Sequence, residues 1–319
     1  MAENPVTELD EDDLEVIPET LDDDEAATQV GGKSVIELPL GSDLSAENLA
    51  AFRLSRPVRS IALVGAHRSG KTTLVSELYN AFCKGPFQGF KFAGSRTLEG
   101  FERRLWEARL QSRRTAADTP RTSINAGLVY LHLSLLRPDR TQIDLAWGDR
   151  AGEAFKAIQS AQTIDDIPSE IASSSHITLL LDGARLADIG ERQNAIQETY
   201  QTLWKLTALG AVDHSQRIGI VTTKVDLLHD PAVRQQADDL HARLRRQCSQ
   251  LHGSIGELTF YETSVRTKTP RADDEEPRLG LAKLLHHWSE TFSRTPERLV
   301  QPPLDRPYDR YLLMGESHD

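Results

Sequence analysis

This sequence has few cysteines, no long apolar run and no basic leader. Its 319 residues include only two cysteines, Cys83 and Cys248, and no Cys/His spacing is typical of a zinc site, so neither a disulfide framework nor a structural zinc is expected. No apolar stretch approaches the length of a membrane span, and no basic segment precedes a hydrophobic one as in a signal peptide. These absences favour a protein of the reducing cytoplasm.

Positive charge is also scarce at the N-terminus, which carries the whole net charge of −11. Residues 1–33 contain twelve acidic residues and one basic residue, Lys33, whereas the rest of the chain carries 36 of each kind. Because the acidic and basic residues after residue 33 are equal in number, the charge of this part of the chain gives no support for direct nucleic-acid binding. We expect the acidic segment to be a solvated, disordered tail, because its apolar content is too low to offset the entropy of ordering. The alternative is an interaction tail for a basic partner surface.

The chain contains a complete phosphate-binding pattern. Residues 65–72 read GAHRSGKT and fit G-x-x-x-x-G-K-[ST] without a mismatch, between an apolar run that predicts a strand and an amphipathic run that predicts a helix. In this arrangement backbone N–H groups and a helix N-terminus converge on a polyphosphate. We expect Lys71 to reach the β- and γ-phosphates and the Thr72 hydroxyl to hold Mg²⁺. The residues expected to line the phosphates are Gly65, Ala66, His67, Arg68, Ser69, Gly70, Lys71, Thr72 and Thr73.

Apolar runs alternate with helical patterns from Val58 onward, which predicts an α/β fold with helices on both faces of the sheet. The predicted strands are Arg59–Val64, Leu128–Leu136, Gln142–Trp147, His176–Leu181, Arg217–Thr222 and Glu257–Tyr261. The predicted helices include Lys71–Phe82, Glu99–Arg113, Gly190–Leu209, Pro231–Leu251 and Leu279–Phe292. A short polar link with a proline joins the second and third strands and indicates an antiparallel hairpin. We therefore expect a three-layer P-loop NTPase fold whose mostly parallel six-stranded sheet has one antiparallel edge strand.

These patterns divide the chain into three parts. Residues 1–55 are expected to form the acidic tail and a lead-in, residues 56–295 the nucleotide-binding domain, and residues 296–319 a proline-containing tail. Inside the domain, residues 84–127 form a long insertion between the first helix and the second strand, and this insertion contains a predicted arginine-rich helix.

A second motif follows the predicted strand Gln142–Trp147. Residues 149–153 read DRAGE and match the D-x-x-G pattern of GTPases, in which the aspartate reaches Mg²⁺ and the glycine N–H contacts the γ-phosphate. Asp149 and Gly152 are the candidates for these two roles. Asp144 is a competing magnesium candidate, but it lies inside the strand and has no glycine at the right offset.

Two further segments at strand ends point to guanine. Residues 223–226 read TKVD and match [NT]-K-x-D, in which a carboxylate accepts hydrogen bonds from guanine N1 and N2 that adenine cannot donate. Residues 262–265 read ETSV and are similar to the E-[TC]-S-A loop, where a backbone N–H supports the guanine O6. The expected base contacts are Thr223, Lys224, Asp226, Ser264 and Val265. The simpler interpretation of Lys224 and Asp226 is a surface ion pair at a strand end.

Taken together, these motifs resemble those of the TRAFAC-class GTPases with a Ras-like G domain, over about residues 57–293. More narrowly, the chain is similar to the bacterial double-GTPase family. The residues that carry this narrower resemblance are Phe92–Leu98, Pro120–Thr122 and Asp149–Glu153. The resemblance implies GTP or GDP and Mg²⁺ as cofactors, protein partners, and a role in a bacterial conflict or antiphage assembly.

The resemblance also implies groups at the γ-phosphate. A switch I threonine normally binds Mg²⁺, and Thr122 is our choice, with Thr119 and Thr97 as rivals. An arginine supplied in cis can stabilise the transferring phosphate, and Arg121 is the best candidate. The other candidates are Arg68, Arg96, Arg113 and Arg114.

Two departures from the usual pattern suggest slow hydrolysis. Glu153 stands where Ras-type enzymes have a water-positioning glutamine, and its carboxylate either orients water or pairs with an arginine without a chemical role. His67 stands where many small GTPases have glycine and is expected to crowd the γ-phosphate. Lys71, Glu153, Arg121 and Thr122 are thus the candidate catalytic residues. The function these residues indicate is a slow GTPase switch; the alternatives are a GTP-binding scaffold and, disfavoured by Asp226, an ATPase or kinase.

Overall fold

One sheet organises the molecule. The computed structural model describes residues 41–112, 128–149, 153–251, 253–265 and 278–290. The strands within these ranges are β1 Val58–Gly65, β2 Lys91–Gly94, β3 Val129–Leu136, β4 Gln142–Asp149, β5 His176–Asp182, β6 Arg217–Thr223 and β7 Leu258–Glu262. They pair in the order β2-β3-β4-β1-β5-β6-β7, so β1 lies at the centre.

The sheet is mostly parallel, as the sequence predicts. β1 pairs in parallel with both β4 and β5, and β6 pairs in parallel with β5 and β7. β3 and β4 form the predicted antiparallel hairpin, in register from Val129 opposite Asp149 to Leu136 opposite Gln142. The carboxyl ends of the five parallel strands therefore meet at one edge of the sheet, where open α/β sheets bind ligands.

Helices cover both faces of the sheet, which confirms the predicted layers. The helices described are α1 Ala46–Ser55, α2 Lys71–Cys83, α3 Leu98–Ser112, α4 Glu153–Ser160, α5 Ser169–Ala172, α6 Gly183–Ala187, α7 Arg192–Ala208, α8 Pro231–Ser249 and α9 Leu281–Ser289. Alternate residues of β1 divide between the faces: Ile61 and Leu63 share a core with α2, α3 and α9, whereas Ala62 and Val64 share one with α4, α7 and α8.

Within the described ranges the sheet has seven strands, one more than the six predicted. β2 pairs antiparallel with β3 and forms the edge, so the antiparallel strand of the hairpin lies one position in from the edge. The sequence gives little sign of β2, because it has only four residues and Lys91, Phe92 and Ala93 are all exposed. Short strands of this kind are common at sheet edges and lack the alternation on which strand prediction depends.

Within residues 1–55, for which the sequence predicts an acidic, largely disordered tail and a lead-in, the lead-in contains the helix α1. Ser45 caps α1 by accepting a hydrogen bond from the Asn48 N–H at 3.2 Å. Leu49 and Phe52 of this helix pack with Leu44 and Tyr130 in a small core on the α4 face of the sheet. The acidic residues 1–40 and the tail 296–319 lie outside the described residues, as do residues 113–127 of the insertion.

Several predicted helix ends agree with the structure to within about two residues. The predicted proline start of α8 is confirmed, since Asp230 accepts hydrogen bonds from the Ala232 and Val233 N–H groups and Pro231 occupies the first turn. In the described part of the chain, no helix combines the length and apolarity that a bilayer crossing requires.

The packing of α1 can be tested with two equivalent substitutions on this helix. Leu49 is 1% exposed and Leu54 is 92% exposed. We expect Leu49→Ala to lower the free energy of unfolding by about 2–5 kcal/mol, because it leaves a cavity under α1, and Leu54→Ala to change it by less than about 0.5 kcal/mol. Urea denaturation measures both values, and equal effects would show that α1 does not pack on the sheet.

Candidate functional site

A glycine-bounded loop joins the central strand to α2. β1 ends at Gly65 and α2 begins at Lys71, so the predicted strand, turn and helix are all present. Gly70 has φ of +93°, a left-handed conformation that favours glycine. A Cβ at Gly65 would lie 2.7 Å from Ser69 Oγ and 3.0 Å from the Leu180 carbonyl oxygen, so this end of the loop also needs glycine.

Lys71 points back across this loop. Its Nζ donates hydrogen bonds to the carbonyl oxygens of Gly65 at 2.8 Å and Ala66 at 3.0 Å. Burial lowers the pKa of Lys71 to about 8, and the nearby Asp149 carboxylate opposes this shift. The ammonium is thus held over the loop, where an anion would be a stronger partner than two carbonyl groups.

Thr72 and Asp149 come together at the ends of α2 and β4. The Thr72 hydroxyl donates to Asp149 Oδ1 at 3.2 Å, and Asp149 is 3% exposed at the last position of its strand. A hydroxyl oxygen and a carboxylate oxygen are the hard ligands that Mg²⁺ prefers. The donor set present therefore fits the magnesium ion that the motifs imply, with Thr72 and Asp149 as the residues that would hold it.

An arginine outside the recognised motifs also contacts Asp149. The Arg104 Nε of α3 donates to Asp149 Oδ2 at 3.3 Å, and its Nη1 donates to Asp43 Oδ1 at 2.8 Å. One signal in the sequence could have indicated it. Phe101, Arg104 and Leu105 follow the i, i+3, i+4 spacing of a single helix face, and all three are buried.

The loop after β6 is fastened to the phosphate loop. Thr223 Oγ1 donates to the Ser69 carbonyl at 2.8 Å, and Lys224 Nζ donates to the Arg68 carbonyl at 2.7 Å. Lys224 also pairs with Asp182 Oδ2 at 3.0 Å. A Cβ at Gly183 would lie 2.2 Å from the Thr223 carbonyl oxygen, so α6 can approach this loop only with glycine at that position.

The loops after β6 and β7 also meet. Ser264 Oγ donates to Asp226 Oδ1 at 2.6 Å, and the Val225 N–H donates to the Thr263 carbonyl at 3.2 Å. Ser264 is buried, Asp226 is half-buried and Val265 packs against the core beneath α2 and α9. The carboxylate of Asp226 is thereby held in one orientation at the edge where the phosphate loop lies.

Several candidate residues fall beyond the described ranges of the chain. Arg121, Thr122 and Gly152 lie outside the described residues, as do Arg113, Arg114 and Thr119. Glu153 begins α4, but its side chain also lies outside them. His67 and Arg68 are exposed on the phosphate loop, and Arg68 has φ of +62°.

Three rival candidates have other partners. Burial alone would raise the pKa of Asp144. Hydrogen bonds from His132 and Ser134 and the charge of Arg56 instead hold this pKa below its usual value. Thr97 is buried against the backbone of His132, whose N–H donates to its hydroxyl at 2.9 Å. The Arg96 guanidinium lies 4.2 Å from the centre of the Phe52 ring. Each contact holds its residue in the structure around β3 and α1.

Comparison with known proteins gives one strong match. A family model described as Double-GTPase 2 matches residues 59–289, well over half of the chain. No curated protein sequence matches this one.

Among solved structures, the Saccharomyces cerevisiae Ski7 GTPase-like domain bound to GDP and inorganic phosphate is similar at 11% identity and a TM-score of 0.42, covering 77% of this chain and 53% of that one. A signal recognition particle receptor complex of SRb-GTP with SRX from Chaetomium thermophilum is similar at 16% identity and a TM-score of 0.36, covering 68% of this chain and 95% of that one. The chain thus spans about half the length of the Ski7 chain. These values are too low to indicate a shared function.

Proposed function

The chain belongs to the Double-GTPase 2 family, and on that premise we propose that it is a Mg²⁺-dependent molecular switch that hydrolyses GTP to GDP and phosphate. The observation that carries this proposal is the direct hydrogen bonding between the phosphate loop and the loop after β6. A single ligand with phosphates at one end and a base at the other would span these two loops. A guanine nucleotide has both parts. The motif of residues 65–72 is typical of phosphate binding, and the motif of residues 223–226 is typical of guanine binding.

The chemistry follows from the residues already in place. The Lys71 ammonium would exchange the two loop carbonyls for the β- and γ-phosphates, and backbone N–H groups of the loop would donate to the same oxygens. When bound, Mg²⁺ would supply positive charge to offset the developing negative charge on these phosphates. Thr72 and Asp149 would hold it, and water would attack the γ-phosphate in line with the leaving oxygen.

Asp226 is proposed to read the base. Its carboxylate would accept from guanine N1 and N2, while Ser264 holds Oδ1 and fixes the orientation. Adenine offers no donors in these positions, so the half-buried carboxylate would lose these partners on binding ATP, and ATP would bind poorly. Thr223, Lys224, Ser264 and Val265 would complete the base site.

The remaining proposed roles concern the γ-phosphate. Thr122 would bind Mg²⁺, Gly152 would sense the γ-phosphate, and Arg121 would stabilise its charge. Glu153 and the bulky His67 are expected to make hydrolysis slow until a partner protein completes the site. GTP would hold the residues of the insertion and of the loop after β4 that contact its γ-phosphate, and hydrolysis would release them.

The setting of this switch is proposed from the family resemblance. We place it in a bacterial multi-protein system of the conflict or antiphage type, with the acidic N-terminal segment or the C-terminal tail as sites for protein partners. The exposed thiol of Cys83 is not in a disulfide, which suits the reducing cytoplasm.

A GTP-binding scaffold with a structural nucleotide is the second candidate function. It is favoured by Glu153 at the start of α4, a carboxylate that stands where Ras-type enzymes have the glutamine that positions the attacking water.

The assignment of guanine as the bound base can be tested by changing the base of the nucleotide and replacing the Asp226 carboxylate in the same set of experiments. We expect the natural protein to bind GTP in strong preference to ATP. Asp226→Asn should weaken GTP binding by about 100-fold, since a charge-assisted hydrogen bond contributes up to about 3 kcal/mol, and should improve binding of xanthosine triphosphate, which has a carbonyl where guanine has its amino group.

Competition against a fluorescent GDP analogue measures these affinities. Asp230→Asn is the matched control, because an asparagine caps α8 as well as an aspartate and this residue lies outside the proposed base site. Equal affinity of the natural protein for ATP and GTP would refute the assignment to guanine.

The proposed hydrolysis can be tested in a single turnover, with protein in excess over GTP. We expect a measurable rate constant that lies well below about 1 s⁻¹, the lower end of ordinary enzyme turnover. Lys71→Ala should abolish it, because the ammonium that stabilises the developing charge is lost. Hydrolysis at ordinary enzyme rates without a partner would contradict the slow switch, and no hydrolysis at all would favour the scaffold.

A further inference from the structure

Arg104 is a buried cation whose two partners come from distant parts of the chain. The side chain is only 9% exposed, yet it ion-pairs with Asp149 at the end of β4 and with Asp43 in the lead-in before α1. Its Nη1 also donates to the Gly100 carbonyl at 3.0 Å. A buried guanidinium needs both carboxylates to offset the loss of water, so the three side chains form one unit.

This unit fixes the orientation of the Asp149 carboxylate. Arg104 contacts Oδ2, and the Thr72 hydroxyl contacts Oδ1. Oδ1 therefore faces the other proposed magnesium ligand, and Oδ2 faces away from it toward α3. Residues that hold a metal-ligating carboxylate in this manner influence metal affinity even though they do not touch the ion.

The lead-in is itself held firmly against α3 and the sheet. Leu44 exchanges two backbone hydrogen bonds with Tyr130, at 3.0 and 2.8 Å, and the Gly100 N–H donates to the Gly41 carbonyl. A Cβ at Gly100 would lie 1.7 Å from the Ser42 carbonyl oxygen, so the two segments touch backbone to backbone. The position of Asp43 is consequently tied to the position of α3.

On the basis of the function proposed above, we propose that Arg104 is a positioning residue of the magnesium site and that Asp43 anchors it. Through this chain of contacts, the lead-in before α1 sets how strongly Mg²⁺ is held with the nucleotide. Removal of Arg104 frees the Asp149 carboxylate to turn. Removal of the Asp43 charge leaves the guanidinium unneutralised, so that it loosens from its anchor and repels the ion.

The experiment measures dissociation of a fluorescent GDP analogue from the full chain over a range of free Mg²⁺ concentrations. In Arg104→Met we expect the Mg²⁺ concentration for half-maximal retention to rise by about 10-fold or more, the usual effect of losing a partner of a metal ligand. Asp43→Asn should raise this Mg²⁺ concentration by a smaller factor. Because Asp43→Asn retains the buried Arg104, it provides a second test if Arg104→Met fails to fold. Dissociation in excess chelator should be the same for all variants.

Arg103→Met is the matched control. Arg103 lies on the same helix and pairs with Asp43 at 3.0 Å, but its side chain is half exposed and its contact is with the other oxygen of Asp43. We expect it to leave the Mg²⁺ dependence unchanged. An unchanged or lowered Mg²⁺ requirement in both Arg104→Met and Asp43→Asn would overturn the role of Arg104. Failure of the natural protein to retain GDP in Mg²⁺ would instead contradict the proposed function.

Discussion

The hydrogen bond from Thr223 to the Ser69 carbonyl joins the two loops on which the site depends. β1 and β6 are not neighbours, because β5 lies between them, so pairing within the sheet does not fix their loops relative to each other. Thr223 and Lys224 cross this gap and bind the backbone of the phosphate loop directly. The loops are shaped for the contact by left-handed residues at Arg68, Gly70 and Lys224. Glycine adopts this conformation freely, but at Arg68 and Lys224 it costs backbone energy and is retained where surrounding structure over-determines it.

A second set of contacts runs from the lead-in to the expected metal ligands. Asp43, Arg104, Asp149 and Thr72 follow one another through hydrogen bonds, and opposite charges alternate among the first three. These contacts give the insertion between α2 and β3 a structural role, because α3 lies in the insertion and carries the buried Arg104. The lead-in likewise belongs to the folded domain. A change at the N-terminal side of α1 thus has a direct physical route to the phosphate end of the site.

The sequence predicts the centre of this fold better than its edges. β1, β5 and β6 each contain a short apolar run and are buried on both faces, so they are recognisable without any knowledge of their partners. β2 and α1 escape prediction because few of their residues are buried, and only tertiary contacts with β3 select their conformation. The phosphate loop and the Thr223–Asp226 loop were predictable because their residue types are demanded by the ligand. The spacing of Phe101, Arg104 and Leu105 could indicate that Arg104 lies on the buried face of its helix. Its role could not be predicted, because that role depends on Asp43 and Asp149, which are 61 and 45 residues away in the chain.

A crystal structure of the chain with a non-hydrolysable GTP analogue and Mg²⁺ tests the central claim most directly. We expect the guanine N1 and N2 atoms to lie within hydrogen-bond distance of the Asp226 carboxylate. The ion should contact Thr72 Oγ1, and Lys71 Nζ should have moved from the loop carbonyls to the β- and γ-phosphates. A base bound away from Asp226, or a Lys71 that stays on Gly65 and Ala66 with phosphates elsewhere, would contradict the claim that these loops form one guanine-nucleotide site.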